Sequence, residues 1–473
     1  MITIDSLLFV AYVIVTIIAI VTVLMDNRQP AKTVAWVMVL MFLPIVGIVL
    51  YFFFGQNIRK EKYISRHSLD LLTKRSMLAF AEQKNLKSER YNLLVTYFAS
   101  QNWALPFKDS DMEILTDGYQ FVQNMLHDIA NAHHHIHIEM YIFNDDALGN
   151  IFADALIDKA KQGVEVRVIY DDVGCWNVKN SFYERMEEGG VRVYPFMPVH
   201  FPAFTSKVNY RNHRKLCVID GKTGYIGGMN IADRYVKGTA KQAWRDTHLR
   251  ITGNAVYGIQ KAFLVDWYFV TGILISSKTF YPEQNGIKDS GAIMQIVTSS
   301  PVNELADIMH GYVRVLLEAK KYVYIETPYF LPTEPVMFAL KNAALSGVDV
   351  RIMIPRKGDA KLVEWASRSF ILEVIEAGVK VYLYNAGFNH SKLMVSDDGI
   401  ATCGSTNVDF RSFENNMEAN LFVYDTQHAI KMRQLFEKDL ENCTIVDDDM
   451  LNIRIPFLQR LWESLVRLLA PLL

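Results

Sequence analysis

Two uninterrupted apolar stretches open the chain. Leu7 to Met25 runs 19 residues without a charge and Thr33 to Phe54 runs 22, each long enough to cross a bilayer as a helix. The first has no basic segment before it and no small-residue cleavage pattern after it, so it reads as a retained span rather than a signal peptide. Pro44 and Gly47 lie inside the second, where they can kink it or make it re-entrant. Arg59, Lys60, Lys62 and Arg66 follow the second stretch, against only Arg28 and Lys32 between the two. The positive-inside rule then puts the connector outside and everything after residue 56 in the cytoplasm. The expectation is an N-terminal transmembrane hairpin over 1–55, with spans at about 7–25 and 33–54.

Residues 56–110 are mixed and charged, with helical stretches such as "SLDLLTKRSMLAFAEQ", and read as a connector. Beyond it, short apolar or alternating segments exchange with helical periodicity, and they do so twice. "MEILTDG", "HIHIEMYIF" and "VEVRVIYDD" read as strands around the helical "YQFVQNMLHDIANA" and "IFADALIDKAKQG"; "MQIVTSSP", "YVYIETPYF" and "VDVRIMIP" repeat the series around "ELADIMHGYVRVLLEAKK" and "VMFALKNAALSG". Strands alternating with helices predict an α/β architecture, and the repeated order predicts two tandem halves, 111–285 and 286–445.

The halves are unequal. Glu139 precedes Glu326 by 187 residues and Gly190 precedes Gly378 by 188, yet His213 precedes His390 by only 177. The first half therefore carries about 11 extra residues, within "PFMPVHFPAFTSKVNYR". That piece reads either as a buried plug or as a loop at a site mouth receiving an apolar substrate. The tail, 446–473, is amphipathic: Leu458, Leu461, Trp462, Leu465, Leu468, Leu469 and Leu472 share one helical stripe, with Arg460, Glu463 and Arg467 off it. Such a helix can close the body's core or lie on a membrane.

Composition narrows the class. With 51% hydrophobic and 21% charged residues the chain is globular, and a net charge of −2 gives no general attraction to nucleic acid. Cys175, Cys217, Cys403 and Cys443 form no C-x-x-C pair and read as small core residues.

The chemistry lies in a doubled motif: "NHRKLCVID" at 212–220 and "NHSKLMVSD" at 389–397. A fixed His-x-Lys-x-x-x-x-Asp pattern is expected about 0.04 times in a chain of this composition, so two copies need a cause. On a strand, His and Lys two residues apart point to the same face. Two such sets facing one another suit a phosphodiester, which is anionic and repels nucleophiles. Lys215 and Lys392 can hold its nonbridging oxygens, helped by Asn230, Asn407 and the Ser405 hydroxyl, with no metal required. One imidazole attacks phosphorus while the other, protonated, donates to the leaving alkoxide. Each histidine needs its second ring nitrogen oriented by an acceptor. Asp246 in "AWRDTHLR" and Glu418 in "NNMEANLF" are the candidates, with the pairing open. Asp220 and Asp397 read as groups that fix strand ends.

The doubled motif, with "GGMN" and "GSTN" after it, resembles the phospholipase D superfamily over nearly the whole body. More narrowly, "RQPAKTVAWVMVLMFLPIVGIVLYFFFG", "IHIEMYIF", "NHRKLCVIDG", "WRDTH", "YIETPYFLP" and "FNHSKLMVSD" resemble the two-span bacterial cardiolipin synthases. The resemblance implies two phospholipase D-like α/β sandwich halves related by pseudo-two-fold symmetry, in an inner-membrane enzyme with a cytoplasmic body. It implies transfer of a phosphatidyl group from one phosphatidylglycerol to the primary hydroxyl of another, giving cardiolipin and glycerol without a cofactor. By position it makes His213 the nucleophile and His390 the general acid and base; Lys215, Lys392, Asn230 and Asn407 hold phosphate, and Asp220 and Asp397 complete the motifs.

Of His133, His134, His135 and His137, only 133, 135 and 137 share a strand face, and no cysteine stands near, so a strand-edge role outranks a metal site. Glu139 and Glu326, each inside an apolar strand, need a buried hydrogen bond or a part in supporting the site. A hydrolase, or a transferase with another alcohol acceptor, would share every catalytic residue. A nuclease fits neither the charge nor the spans, and a scaffold without catalysis leaves the doubled motif unexplained.

Overall fold

The computed structural model describes residues 4–25, 30–51, 78–101, 103–199, 209–240, 242–284, 291–301, 305–446 and 457–471. The body consists of two sheets built on one plan. The first runs, from edge to edge, Ser110–Leu115, His248–Gly253, Thr223–Gly227, Lys215–Ile219, His135–Met140, Glu165–Asp171, Arg192–Phe196. The second runs Ile293–Ser299, Glu418–Tyr424, Ile400–Gly404, Leu393–Ser396, Tyr322–Glu326, Asp349–Pro355, Lys380–Tyr384, and adds one edge strand, Cys443–Ile445. In each sheet three strands are parallel and the rest antiparallel, in the same places.

Period-two alternation explains the layers. In the motif strands Leu216 and Val218, and likewise Leu393 and Val395, face a central core shared by both halves; Cys217 and Ile219 face the first half's outer core, and Met394 the second half's. The helices Val256–Thr271 and Thr426–Leu440 contribute Phe263, Trp267, Met432 and Phe436 to the central layer. Burial of this shared apolar layer holds the halves face to face.

At the N-terminus the first apolar stretch forms a helix, Ile4–Met25. The second stretch departs from a single span: it breaks at Leu43 into Pro30–Phe42 and Pro44–Leu50. Pro44 lacks the N–H of a helix interior and is tolerated at a first helical position, so the chain restarts there. Among the described residues no helix is long and apolar enough to cross a membrane. Val23, Leu40 and Tyr51 pack the three helices together, while Phe9, Ile18, Met41, Ile45 and Val46 are exposed. The orienting residues Arg28, Arg59, Lys60, Lys62 and Arg66 lie outside the described residues, as do 200–208 of the aromatic loop and Leu472 of the tail. In the described part of the connector, Leu78–Asn85 is a 3-10 helix.

Candidate active site

Each motif strand lies mid-sheet, but the residues just before it leave their own sheet to meet the other half. Asn212 bridges Met417 in parallel register, and the His213 N–H donates to the Met417 carbonyl at 2.9 Å. Phe388–Asn389 pairs with Trp244–Arg245, and the His390 N–H donates to the Arg245 carbonyl at 2.6 Å. These exchanges bring each imidazole to a carboxylate of the opposite half. His213 Nδ1 lies 3.0 and 3.1 Å from the two oxygens of Glu418; His390 Nδ1 lies 2.6 Å from Asp246 Oδ2. The pairing left open by the sequence is therefore crossed.

A carboxylate only accepts, so each Nδ1 carries the proton and each Nε2 keeps the lone pair. Lys392 Nζ is 2.8 Å from His390 Nδ1 and also meets the His390 carbonyl. An Nδ1 that donates to Asp246 cannot accept from Lys392, so the carbonyl holds the ammonium. Lys215 Nζ donates in the same way to the His213 carbonyl at 2.6 Å.

The charges converge. Burial pushes Lys215 down to about 7, with Glu418 pulling upward and Lys392 adding repulsion. Burial likewise lowers Lys392, against the pull of Asp246 and Glu418. Burial and then Lys392 push His390 down to about 3; burial also lowers His213, with Glu418 opposing. For Asp246 and Glu418 burial works against ionisation, but Lys392 and His390 outweigh it at Asp246, and His213 and Lys215 at Glu418. Two buried ammoniums and two imidazoles thus share one small region, an arrangement that an anion would relieve.

The remaining candidates form a brace. Ser405 Oγ donates to Glu418 Oε2 and accepts the Ala419 N–H at 3.0 Å. Its counterpart in the first half is Gly228, where a Cβ would meet Asp246 Oδ1 at 2.1 Å, so the glycine makes room for the carboxylate. Asn230 accepts the Ile142 N–H at 3.0 Å and donates to the Tyr235 hydroxyl. Asn407 hydrogen-bonds Asp409, and its side-chain oxygen is buried without a protein partner among the described residues.

Asp220 and Asp397 sit at the far ends of the motif strands. Asp220 accepts the N–H groups of His133, His134 and His135 at 2.7–3.0 Å; Asp397 accepts those of Lys320, Lys321 and Tyr322 at 2.8–2.9 Å and pairs with Arg90. Both adopt φ of 53°, a left-handed conformation that aspartate tolerates better than most residues.

Asn212 and Asn389 were not singled out from the sequence, although an asparagine precedes both motif histidines. Asn212 donates to Glu139 and accepts the Arg214 N–H; Asn389 donates to Glu326 and accepts the Ser391 N–H. Each glutamate thereby fixes the turn that presents a histidine. Burial, then Asp266, raises Glu139, and burial raises Glu326 to about 7, so both tend toward the neutral acid. The aromatic rings near the histidines also escaped notice, because the halves do not repeat them. Tyr141 lies 4.9 Å from His213, whereas Trp244, Phe388, Tyr235 and Tyr329 surround His390 at 5.4–6.3 Å.

The histidine cluster begins the buried strand His135–Met140, which is central in its sheet. His135 and His137 are buried and linked through Gln260, and His137 reaches Arg167 at 2.9 Å. Among the described residues no group of His, Cys, Asp or Glu is arranged to hold a metal ion.

Comparison with known proteins shows the family. The family described as "Cardiolipin synthase, PLD-like domain" matches residues 125–263 and 312–440, and the "Phospholipase_D-nuclease N-terminal" family matches 14–56. The major cardiolipin synthase of Bacillus subtilis is 38% identical over all of this chain and all of its own length. Cardiolipin synthase 2 of Bacillus cereus is 39% identical over 95% of this chain and 88% of its own. The crystal structure of phosphatidylserine synthase from Haemophilus influenzae shares the fold, with TM-score 0.58 and 17% identity over 76% of this chain and 95% of that one. On matched domains in both halves and full-length relatives at this identity, the chain belongs to the bacterial cardiolipin synthases of the phospholipase D superfamily.

Proposed function

We propose that the protein is a cardiolipin synthase that transfers a phosphatidyl group from one phosphatidylglycerol to another, releasing glycerol, through a phosphohistidine. The carrying observation is the crossed pair of histidine–carboxylate contacts beside two buried lysines. Lys215 and Lys392 neutralise the phosphodiester, and its charge raises their affinity for protons and that of His390. His213 Nε2 attacks phosphorus as the P–O bond to glycerol breaks, and protonated His390 gives its proton to the departing alkoxide. His390, now neutral, takes the proton of the second phosphatidylglycerol's primary hydroxyl, whose oxygen displaces His213 from phosphorus. Glu418 and Asp246 stabilise the positive imidazoles, while Asn230, Asn407 and Ser405 brace the pocket or meet the phosphate. No step calls for a metal.

Membrane placement belongs to the same proposal. Spans at about 7–25 and 33–54, the second bent at Leu43, would anchor a cytoplasmic body of connector (56–110), two halves (111–285 and 286–445) and tail (446–473). The outward aliphatic surface of the three N-terminal helices supports it, since lipid is the solvent such a surface fits. Purified protein given labelled phosphatidylglycerol should yield cardiolipin and glycerol in equal amounts. Phosphatidic acid as the main product would instead make it a hydrolase.

A further inference from the structure

The C-terminal helix Phe457–Arg467 docks on the body by the side opposite its leucine stripe. Glu463, Val466 and Ala470 are buried against the helix Lys361–Ile375. Arg467 pairs with Glu373 at 2.7 Å and lies 4.2 Å over the Phe370 ring, Arg368 reaches Glu463 at 3.5 Å, and Trp365 meets Trp462 edge-on. The stripe of Leu458, Leu461, Trp462, Leu465, Leu468 and Leu469 faces away, 42–75% exposed. Val466 and Ala470 join the body's core, but the leucine stripe, the most apolar side of the helix, does not.

Just past the helix, the Pro471 carbonyl accepts from Asn415 Nδ2 at 3.4 Å. The next residue, Asn416, donates to Glu418 Oε1 at 3.3 Å, and Glu418 holds His213. The segment that follows the helix therefore touches the turn that leads to the site's carboxylate.

We propose that this leucine face lies in the surface of the phospholipid bilayer and sets the site beside its lipid substrate. The inference rests on the lipid-transferring function above. Lipid fits better than a protein partner because Glu463 is buried and Arg467 is paired with Glu373, leaving an outward face of leucines and Trp462. The same chain also begins with a helical hairpin whose outer surface is aliphatic. An 11-residue helix covers about 16 Å of surface, enough to fix the body's tilt on the membrane.

The test uses the full chain in phosphatidylethanolamine–phosphatidylglycerol vesicles. An environment-sensitive fluorophore is placed on Leu465→Cys in a Cys443→Ser background. Quenching by lipids spin-labelled along the acyl chain is expected; absence of quenching, or a Leu465→Cys disulfide dimer in place of quenching, overturns the proposal. Leu461→Ser/Leu465→Ser/Leu468→Ser should lose at least tenfold in kcat/KM on vesicles and keep its rate on monomeric dihexanoyl phosphatidylglycerol, which also shows that it folds. Unchanged vesicle rates likewise overturn the proposal. A wild-type protein that makes no cardiolipin from either substrate would sink the functional reading instead.

Discussion

His213, in the first half, is held by Glu418, 205 residues away in the second, with both carboxylate oxygens within 3.1 Å of its Nδ1. His390 and Asp246 repeat the relation in reverse. A carboxylate so placed fixes the tautomer and stabilises the imidazolium that forms. Glu418→Gln and Asp246→Asn should therefore each lower turnover by about 10³–10⁴ while leaving the fold intact. Steady-state cardiolipin formation beside circular dichroism checks this; a loss under tenfold would contradict it.

The two histidines should separate by leaving group. His213→Ala abolishes the ³²P-labelled protein intermediate with every donor. His390→Ala slows glycerol release by about 10²–10⁴ but retains activity on a p-nitrophenyl phosphodiester, whose leaving group needs no proton. Equal loss on both donors would count against His390 as the acid.

Lys215 titrates near 7 in the free protein, chiefly through burial. If it must be charged to bind the anion, kcat/KM falls as pH rises through about 7. Bound phosphodiester raises that value, so kcat holds to higher pH. For the same reason, binding at pH 7.5 takes up protons, measurable by calorimetry in buffers of different ionisation enthalpy. A kcat/KM flat to pH 9 would rule this out.

Asp220 and Asp397 act on stability. Asp220→Ala leaves three backbone N–H groups without their acceptor, at a cost of about 1–3 kcal/mol by thermal melting. At both residues burial alone would raise the pKa, but the backbone donors outweigh it and hold the carboxyl below its ordinary value. The stability each lends is therefore full above the ordinary carboxylate range and is lost as pH falls through the lowered value. A melting temperature unchanged in Asp220→Ala would show that the anchor is dispensable.

Burial leaves Glu326 near 7, so it spends much of its time as the neutral acid. Glu326→Gln should keep most of the activity, and Glu326→Ala should lose it by freeing Asn389 and the His390 turn. Equal damage from both would mean that the charge matters more than the hydrogen bond.

What the sequence made legible was what repeats locally. The alternation of strands and helices along each half and the strand-end role of Asp220 follow from spacing within a few residues, whereas His213, His390 and Lys392 lie just before their motif strands rather than on them. The crossing of His213 to Glu418 is tertiary, and nothing near residue 213 encodes its partner. The break at Leu43 was signalled by Pro44, yet a proline alone does not say whether a helix bends or stops. For the tail, the periodicity identified a two-sided helix. Which side meets the body depended on Arg368 and Glu373, residues roughly 90 positions upstream whose ion pairs reward the side opposite the leucines.

The exchange of carboxylates also governs when the enzyme can first act. A ribosome building this chain makes the apolar N-terminus first, then His213, and only some 200 residues later the glutamate that orients it. Until then the growing chain carries a histidine without the carboxylate that orients it. Because the contacts cross, neither half alone holds a histidine paired with its carboxylate, and both sites are completed in the single event of the halves closing.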